Sequence, residues 1–315
     1  MPRSSDWPDF NSCLPADDVF KVLVGDADPT LARLGALYDR NRPDLVPVRE
    51  TPSIPRVIHQ IWLGSPLPRK LARYSRTWRK HHPDWELKLW TDAEVAGYDF
   101  PSRELFDAAQ CWGQKSDLLR MEILNSEGGV YVDLDYECFK PIDVLTERYD
   151  FFTTLKYIYT AHLGWPAIWQ HPVVVCNSLI GAQSGHPILS AYLERVAALW
   201  DDKDRYELKD GELIPIALAA MGGKAKAARI KETGTRTFIP FGDTVTALAD
   251  DAAYRNIVLP PLFFNPVLTG ARTLYMMPDF WLRCREQGVK WPKLKTYTRT
   301  HPLTLANHIS HNSWV

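Results

Sequence analysis

The chain reads as an α/β protein built on a mixed, mostly parallel sheet, and three observations carry that reading. Apolar strand-like runs alternate with helical segments from Val57 onward, as a sheet with crossover connections requires. A buried helical run stops at Gly128-Gly129 and is followed at once by Val130-Tyr131-Val132, the pattern of a helix feeding a strand. Finally, 315 residues suffice for a sizeable core, and α/β folds of this size are often one main domain.

Taken in order, residues 1–50 read as a helical amino-terminal extension with a packing role, on the strength of two amphipathic segments, Val19–Val24 and Leu31–Tyr38. A proline-bounded linker spans Pro43 to Pro55. The main domain, 54–315, then begins with a strand at Val57–Ile61, a helix at Leu71–Lys80 and a strand at Leu87–Leu89. The helix carrying Leu118, Leu119, Met121, Ile123 and Leu124 ends at Gly128, where a left-handed cap costs little. Asp150–Leu155 and Pro172–Ala182 read as strands, and Pro187–Trp200 as a helix after the turn Ser184–Pro187. Asp201–Asp210 is charged and reads as a solvated loop or helix end, Glu212–Ala228 is helical by composition, and Ile239–Leu248 with Ile257–Pro266 closes the region. The stretch 269–300, rich in aromatic and basic residues such as Trp281, Arg283 and Trp291, is a candidate acceptor-side insertion.

Composition excludes several classes. A formal net charge of -1 with dispersed lysines and arginines leaves no electrostatic footprint for nucleic acid. Five cysteines at wide spacing, without C-x-x-C, suggest reduced, buried thiols rather than a disulfide framework or a zinc cage. There is no apolar signal core, no stretch long enough to span a bilayer and no N-x-S/T sequon, so the expected location is cytoplasmic.

The chemistry concentrates in the twenty residues from Ser116 to Asp135. The strand at Val130–Val132 delivers Asp133 and Asp135, which share a face; continued past Asp135, it would bury both carboxylates in the sheet. The strand is therefore expected to end there. At the carboxyl edge of an open α/β sheet, such carboxylates with substrate phosphates make the usual cage for a hard divalent ion, which would neutralise a departing diphosphate. A solvated turn is the alternative for an isolated D-x-D. Upstream, Asp117 and Arg120 stand three apart on a helix and can converge on one ligand, or form an ordinary surface ion pair.

Together S-D-L-L-R (116–120) and E-G-G-V-Y-V-D-L-D (127–135) resemble the D-x-D sugar-binding glycosyltransferases of family thirty-two. These include fungal mannosyltransferases and bacterial capsule enzymes, with the clostridial glucosylating toxins more distant. Three further blocks agree in order: Ile54–Gly64, Trp78–Asp92 and the terminal Ala306–Trp314. The resemblance implies a GT-A (Rossmann-like) fold with added helices and a metal-dependent, retaining hexosyl transfer. The metal would be Mn2+ or Mg2+. The donor would be a nucleotide-diphosphate sugar, UDP-sugar favoured and GDP-mannose possible, and the acceptor a hydroxyl of a glycan, lipid or small molecule.

Asp117, Arg120, Asp133 and Asp135 would form the catalytic group, with Asp135, Asp133 and His308 on the metal. A neutral imidazole suits a manganese-preferring site of mixed O and N ligands. Trp62, Asn177, Ser313 and Trp314 would join Asp117, Arg120 and Asp133 on the donor, Trp62 covering the base unless it is a core tryptophan. Front-face attack, with Arg120 and the metal stabilising the leaving group, needs no protein nucleophile. His59 reads as a satisfied core histidine. Two departures stand out: no amino-terminal membrane anchor, and Pro240-Phe-Gly242 where relatives carry Thr-Gly-Pro. Two rival readings remain, a haloacid-dehalogenase-type phosphotransferase and a silent sugar-binding module. The first wants Thr or Val two positions after the second Asp, where this chain has Tyr136-Glu137.

Overall fold

The computed structural model describes residues 7–14, 29–157, 173–211, 218–219, 222–266, 278–286, 288–290 and 301–309. Six strands form the central sheet: β1 (Val57–Ile61), β2 (Glu86–Trp90), β3 (Gly129–Val132), β5 (Phe151–Tyr157), β6 (Val173–Ala182) and β7 (Asn256–Leu259), in the order β2-β1-β3-β6-β5-β7. A separate pair, β4 (Tyr136–Cys138) and β8 (Ala306–His308), is antiparallel. β1 runs parallel to β2 and β3, and β5 parallel to β7, while β6 is antiparallel to both neighbours. The sheet is thus mixed and mostly parallel, the expected class. This topology brings the carboxyl ends of β1, β3 and β5 and the amino end of β6 to one edge.

The strands follow their sequences. β1, β3, β6 and β7 are buried along almost their whole length, as strands covered on both faces must be, which is why they read as apolar runs and not as alternation. The helix Trp112–Glu127 packs between the sheet and the helix Pro187–Leu199, and Leu118, Leu119, Met121, Ile123 and Leu124 are fully buried in the core. It stops at Gly128, whose φ of 68° and ψ of -164° lie not in the left-handed helical region but in one reserved to glycine. Gly129 follows at φ 101°, and a Cβ there would stand 2.8 Å from the Val57 carbonyl oxygen. Glycine at both positions lets the chain reverse from helix into β3 against the edge of β1.

The largest difference from the sequence expectation lies after residue 222. The helix Lys224–Thr233 continues through a π-helical turn, Gly234–Phe238, into the helix Ile239–Leu248. Residues 212–217 and the segment Val19–Val24 lie outside the described residues. At the amino end, the helix Pro29–Arg40 buries Leu34, Leu37 and Tyr38 in the common core, and Trp7 stacks on Phe263 with ring centroids 4.9 Å apart. No helix among the described residues is long and apolar enough to cross a membrane.

Candidate active site

β3 ends at Val132, and Asp133-Leu134-Asp135 form a turn before β4 begins at Tyr136. The turn is held from both sides. The Asp133 N–H donates to the Ser178 carbonyl of β6 at 2.9 Å, and the Ile309 N–H donates to the Asp135 carbonyl at 2.9 Å. Beneath it, Leu134 packs with Trp62, Leu71 and Tyr74. The strand therefore does end before it would bury two carboxylates in the sheet.

Pairing of β4 with β8 sets Tyr136 opposite His308 and brings the distant terminal block to the turn. Their rings stack with centroids 4.4 Å apart and planes within 6°. His308 Nε2 then lies 3.1 Å from Asp135 Oδ1 and 4.0 Å from Asp133 Oδ2. One ligand atom from each of Asp133, Asp135 and His308 falls within 4.8 Å of the others. Two carboxylates and an imidazole converging from two elements could hold a divalent cation.

The Asp117–Arg120 pair is a different construction. Both side chains are buried, and Arg120 Nη2 lies 2.9 Å from Asp117 Oδ1. Asp117 Oδ1 also accepts from Asn177 Nδ2 at 2.9 Å, and its Oδ2 accepts from the Thr237 hydroxyl at 2.5 Å. Arg120 donates to the Asn177 carbonyl at 2.7 Å, to the Ser116 carbonyl at 3.1 Å and to the Ser116 hydroxyl at 3.0 Å. Its Nη1 stands 3.4 Å from Asp133 Oδ1, which also accepts from the Tyr131 hydroxyl at 2.6 Å. The guanidinium lies over the Tyr131 ring, 4.3 Å from its centroid. Arg120 is thus the hub that ties the helix, β3 and β6 together.

Electrostatics follow from burial. Two carboxylates, Asp117 and Asp133, lie against one guanidinium; burial raises the Asp133 carboxyl above its ordinary range, Arg120 opposes that and Asp135 adds to it. Burial also raises Asp117, against the pull of Arg120 and the Thr237 hydrogen bond. His308 is pushed below the ordinary histidine range by burial and by Lys156, with Asp135 opposing. A carboxylate pair held in this excess of negative charge gains from a bound cation.

Trp62 follows β1 at the same edge, 8 % exposed, its indole N–H donating to the Ser65 hydroxyl at 3.2 Å. Trp112, 43 % exposed, packs on Gly64, where an added Cβ would meet its ring at 2.3 Å. His59 is the core histidine expected: Nδ1 accepts from the Trp90 indole, so the Nε2–H donates to the Gly128 carbonyl at 3.0 Å, and burial lowers its pKa to about 4. Ser313 and Trp314 lie outside the described residues, as does most of the 269–300 stretch, of which Pro278–Glu286 is helical.

Sequence reasoning missed two neighbours. Thr237 reaches Asp117 from a π-helical turn 120 positions away, and the Lys156 ammonium at the end of β5 lies 3.3 Å from His308 Nδ1. A cavity of about 490 Å³, lined by Leu31, Leu34, Leu155, Val175 and Phe238 among others, includes none of the expected site residues.

Residues 68–152 match the family model described as the glycosyltransferase sugar-binding region containing DXD motif, so this region carries the signature of the glycosyltransferase class that the motifs resembled. Inositol phosphoceramide mannosyltransferase 1 of Schizosaccharomyces pombe is 36% identical over 109 residues, 32% of this chain and 34% of that protein. A mannosyl phosphorylinositol ceramide synthase of Saccharomyces cerevisiae is 28% identical over 195 residues, 58% of this chain and 45% of its own length. The chain spans about a third to a half of the length of the curated relatives it matches. Among solved structures, the PaToxG glycosyltransferase aligns over 84% of this chain and 90% of its own, at 16% identity and a TM-score of 0.45.

Proposed function

We propose that the protein is a metal-dependent glycosyltransferase that moves a hexose from a nucleotide-diphosphate sugar to a hydroxyl acceptor, with retention of anomeric configuration. The observation that carries this reading is the Asp133–Asp135–His308 trio at the end of β3, beside the buried Asp117–Arg120–Asn177 network. The names of the relatives favour mannosyl transfer, which puts GDP-mannose beside UDP-sugars among the donors to test.

Asp133, Asp135 and His308 would hold Mn2+ or Mg2+, which when bound supplies Lewis-acid stabilisation of the leaving diphosphate. Arg120 directs its donors into the protein, so its role is to position Asp117, Asn177 and Asp133. Asp117 is an unsuitable nucleophile, because Arg120 and Asn177 engage one carboxylate oxygen and Thr237 the other. Retention therefore goes by front-face attack: the acceptor oxygen bonds to the anomeric carbon as the bond to the diphosphate oxygen breaks. That oxygen keeps the electron pair and takes the acceptor's proton. Trp62, Ser313 and Trp314 would flank the donor. All five cysteines are unpaired, which suits a reducing compartment, and a cytoplasmic location is part of this reading.

The test is a panel of UDP-glucose, UDP-galactose, UDP-N-acetylglucosamine and GDP-mannose with Mn2+, Mg2+ or EDTA, alongside a phosphate monoester. The expected result is release of UDP or GDP from one donor, abolished by EDTA. Phosphate-monoester hydrolysis without donor turnover, or a folded protein inert toward every donor, would contradict it.

A further inference from the structure

We infer that the outer face of the helix Arg69–His81 docks the protein on an anionic lipid surface, an assignment that does not depend on the donor reading above. Basic residues are dispersed over most of the chain. This helix is the exception: it gathers Arg69, Lys70, Arg73, Arg76, Arg79 and Lys80 and contains no acidic residue. All six are exposed. With about 3.6 residues per turn, Arg69, Arg73, Arg76 and Lys80 form the ridge of one face and Lys70 and Arg79 its flanks, opposite the buried Leu71, Tyr74 and Trp78. Arg73 lies over the Tyr74 ring of its own helix, 5.5 Å from the centroid, and among the described residues no carboxylate pairs with any of the six.

An ordinary solvated helix interleaves both signs, because opposite charges three or four residues apart stabilise it. Here Arg69 with Arg73, Arg73 with Arg76 and Arg76 with Lys80 repel one another at those spacings, and Arg69 and Lys70 sit at the positive end of the helix dipole. The face therefore carries a self-repulsion that an anionic partner relieves.

Shape and chemistry favour a bilayer over a nucleic acid. The exposed side of one helix is a convex ridge, about 20 Å long for 13 residues. Its outward residues include no Asn, Gln or aromatic side chain to read bases or stack on them. Long cationic side chains on such a ridge meet a fluid array of headgroups without requiring them in fixed positions. Beside the face, the half-exposed Trp112 ring packs on Gly64, at the start of the loop that leads into the helix, and an indole in that place suits the headgroup region.

Behind this face the helix is firmly held. The Trp78 indole N–H donates to the Tyr136 carbonyl at 3.1 Å and the Cys138 N–H to the Thr77 hydroxyl at 2.9 Å, while Leu71 and Tyr74 pack with Trp62 and Leu134. Docking would thus keep the D-x-D turn roughly one helix diameter from the lipid.

The experiment sediments the full chain with vesicles of phosphatidylcholine alone, or with about one-third phosphatidylserine, and measures binding to a mixed-sequence oligonucleotide in parallel. Wild type should sediment with the anionic vesicles and not with the neutral ones, less so as salt is raised. Each basic residue contributes about fivefold to such binding, so Arg69→Gln/Arg73→Gln/Arg76→Gln/Lys80→Gln should bind at least about a hundredfold more weakly, with an unchanged or higher urea midpoint. Replacing Arg69, Arg73 and Arg76 by lysine should keep the affinity within about threefold, since the charge and not a fixed fork is recognised. If the fourfold variant does not fold, Arg76→Gln/Lys80→Gln, with an expected loss of about twentyfold, carries the comparison. No binding to anionic vesicles, equal binding to neutral ones, or binding that the glutamine variant retains would overturn the inference. So would an oligonucleotide bound more tightly than the vesicles at the same salt and released by the glutamine variant, which would assign the face to nucleic acid.

Discussion

Two acidic clusters lie side by side at one sheet edge, and they are built on opposite principles. Around Asp117 the carboxylate is answered from three elements, by Arg120 from its own helix, Asn177 from β6 and Thr237 from the π-helical turn. Around Asp133 and Asp135 the carboxylates face each other and a neutral imidazole; burial raises the Asp133 pKa, and among the described residues the guanidinium beside Asp133 is the one shared with Asp117. The first cluster is complete within the protein and stabilises the fold. The second is the one that the proposed function assigns to a cation, and a cation bound there would add to stability.

The comparison implies that substitutions in the two clusters differ in kind. The largest effect belongs to Asp135→Asn, which should lower donor turnover by about a thousandfold or more, equivalent to ~4 kcal/mol in the transition state. Its unfolding free energy should stay within about 1 kcal/mol of wild type, since a repelling charge is removed. Residual turnover above about a tenth of wild type would end the distinction. Next comes Arg120→Leu, expected to cost about 3–5 kcal/mol in urea unfolding because buried carboxylates lose their counter-ion. A loss below about 1 kcal/mol would mean that Asp117 and Asp133 are balanced by something other than Arg120.

The scaffold beneath the site has its own signature. His59 and His186 are both buried, and burial lowers each pKa from 6.5 to about 4. Between those values the unfolded chain binds protons that the folded chain refuses, so stability must fall as pH drops from about 6.5 toward 4, by up to ~3 kcal/mol per histidine. His59→Gln should lessen that slope without moving Mn2+ affinity measured at pH 7.5. An unchanged slope would show that His59 is not held neutral. The smallest effect is Thr237→Val, about 1–3 kcal/mol from one unmet carboxylate oxygen, and it should be non-additive with Asp117→Asn in a double-mutant cycle.

How much of this was legible depended on whether a contact is local in sequence. Asp117 with Arg120, and Asp133 with Asp135, could be read because helix and strand periodicity fix their faces. His308 was readable only through its register with the terminal block. The structure supplies the physical reason, which is that β8 pairs with β4 and carries the imidazole to the turn. Thr237 had no signal at all: a π-helical turn leaves no periodic trace, and Thr-Phe-Ile-Pro reads as an ordinary helix start. Lys156 was hidden differently, since a lysine near the end of a strand looks like a solvent-facing residue. Trp62 was placed at the correct edge, but its burial among Leu71, Tyr74 and Leu134 comes from packing that no strand pattern encodes.

The central claim is that Asp133, Asp135 and His308 form a cation site that serves the donor. The most direct test is a Mn2+ titration of the wild-type protein and of Asp135→Asn, with and without UDP or GDP. The expected result is one Mn2+ per chain in the wild type, bound more tightly when the nucleotide is present, and affinity reduced by about a hundredfold or more in the variant. Equal Mn2+ affinity in the two proteins, or no Mn2+ binding by the wild type even with nucleotide present, would contradict it.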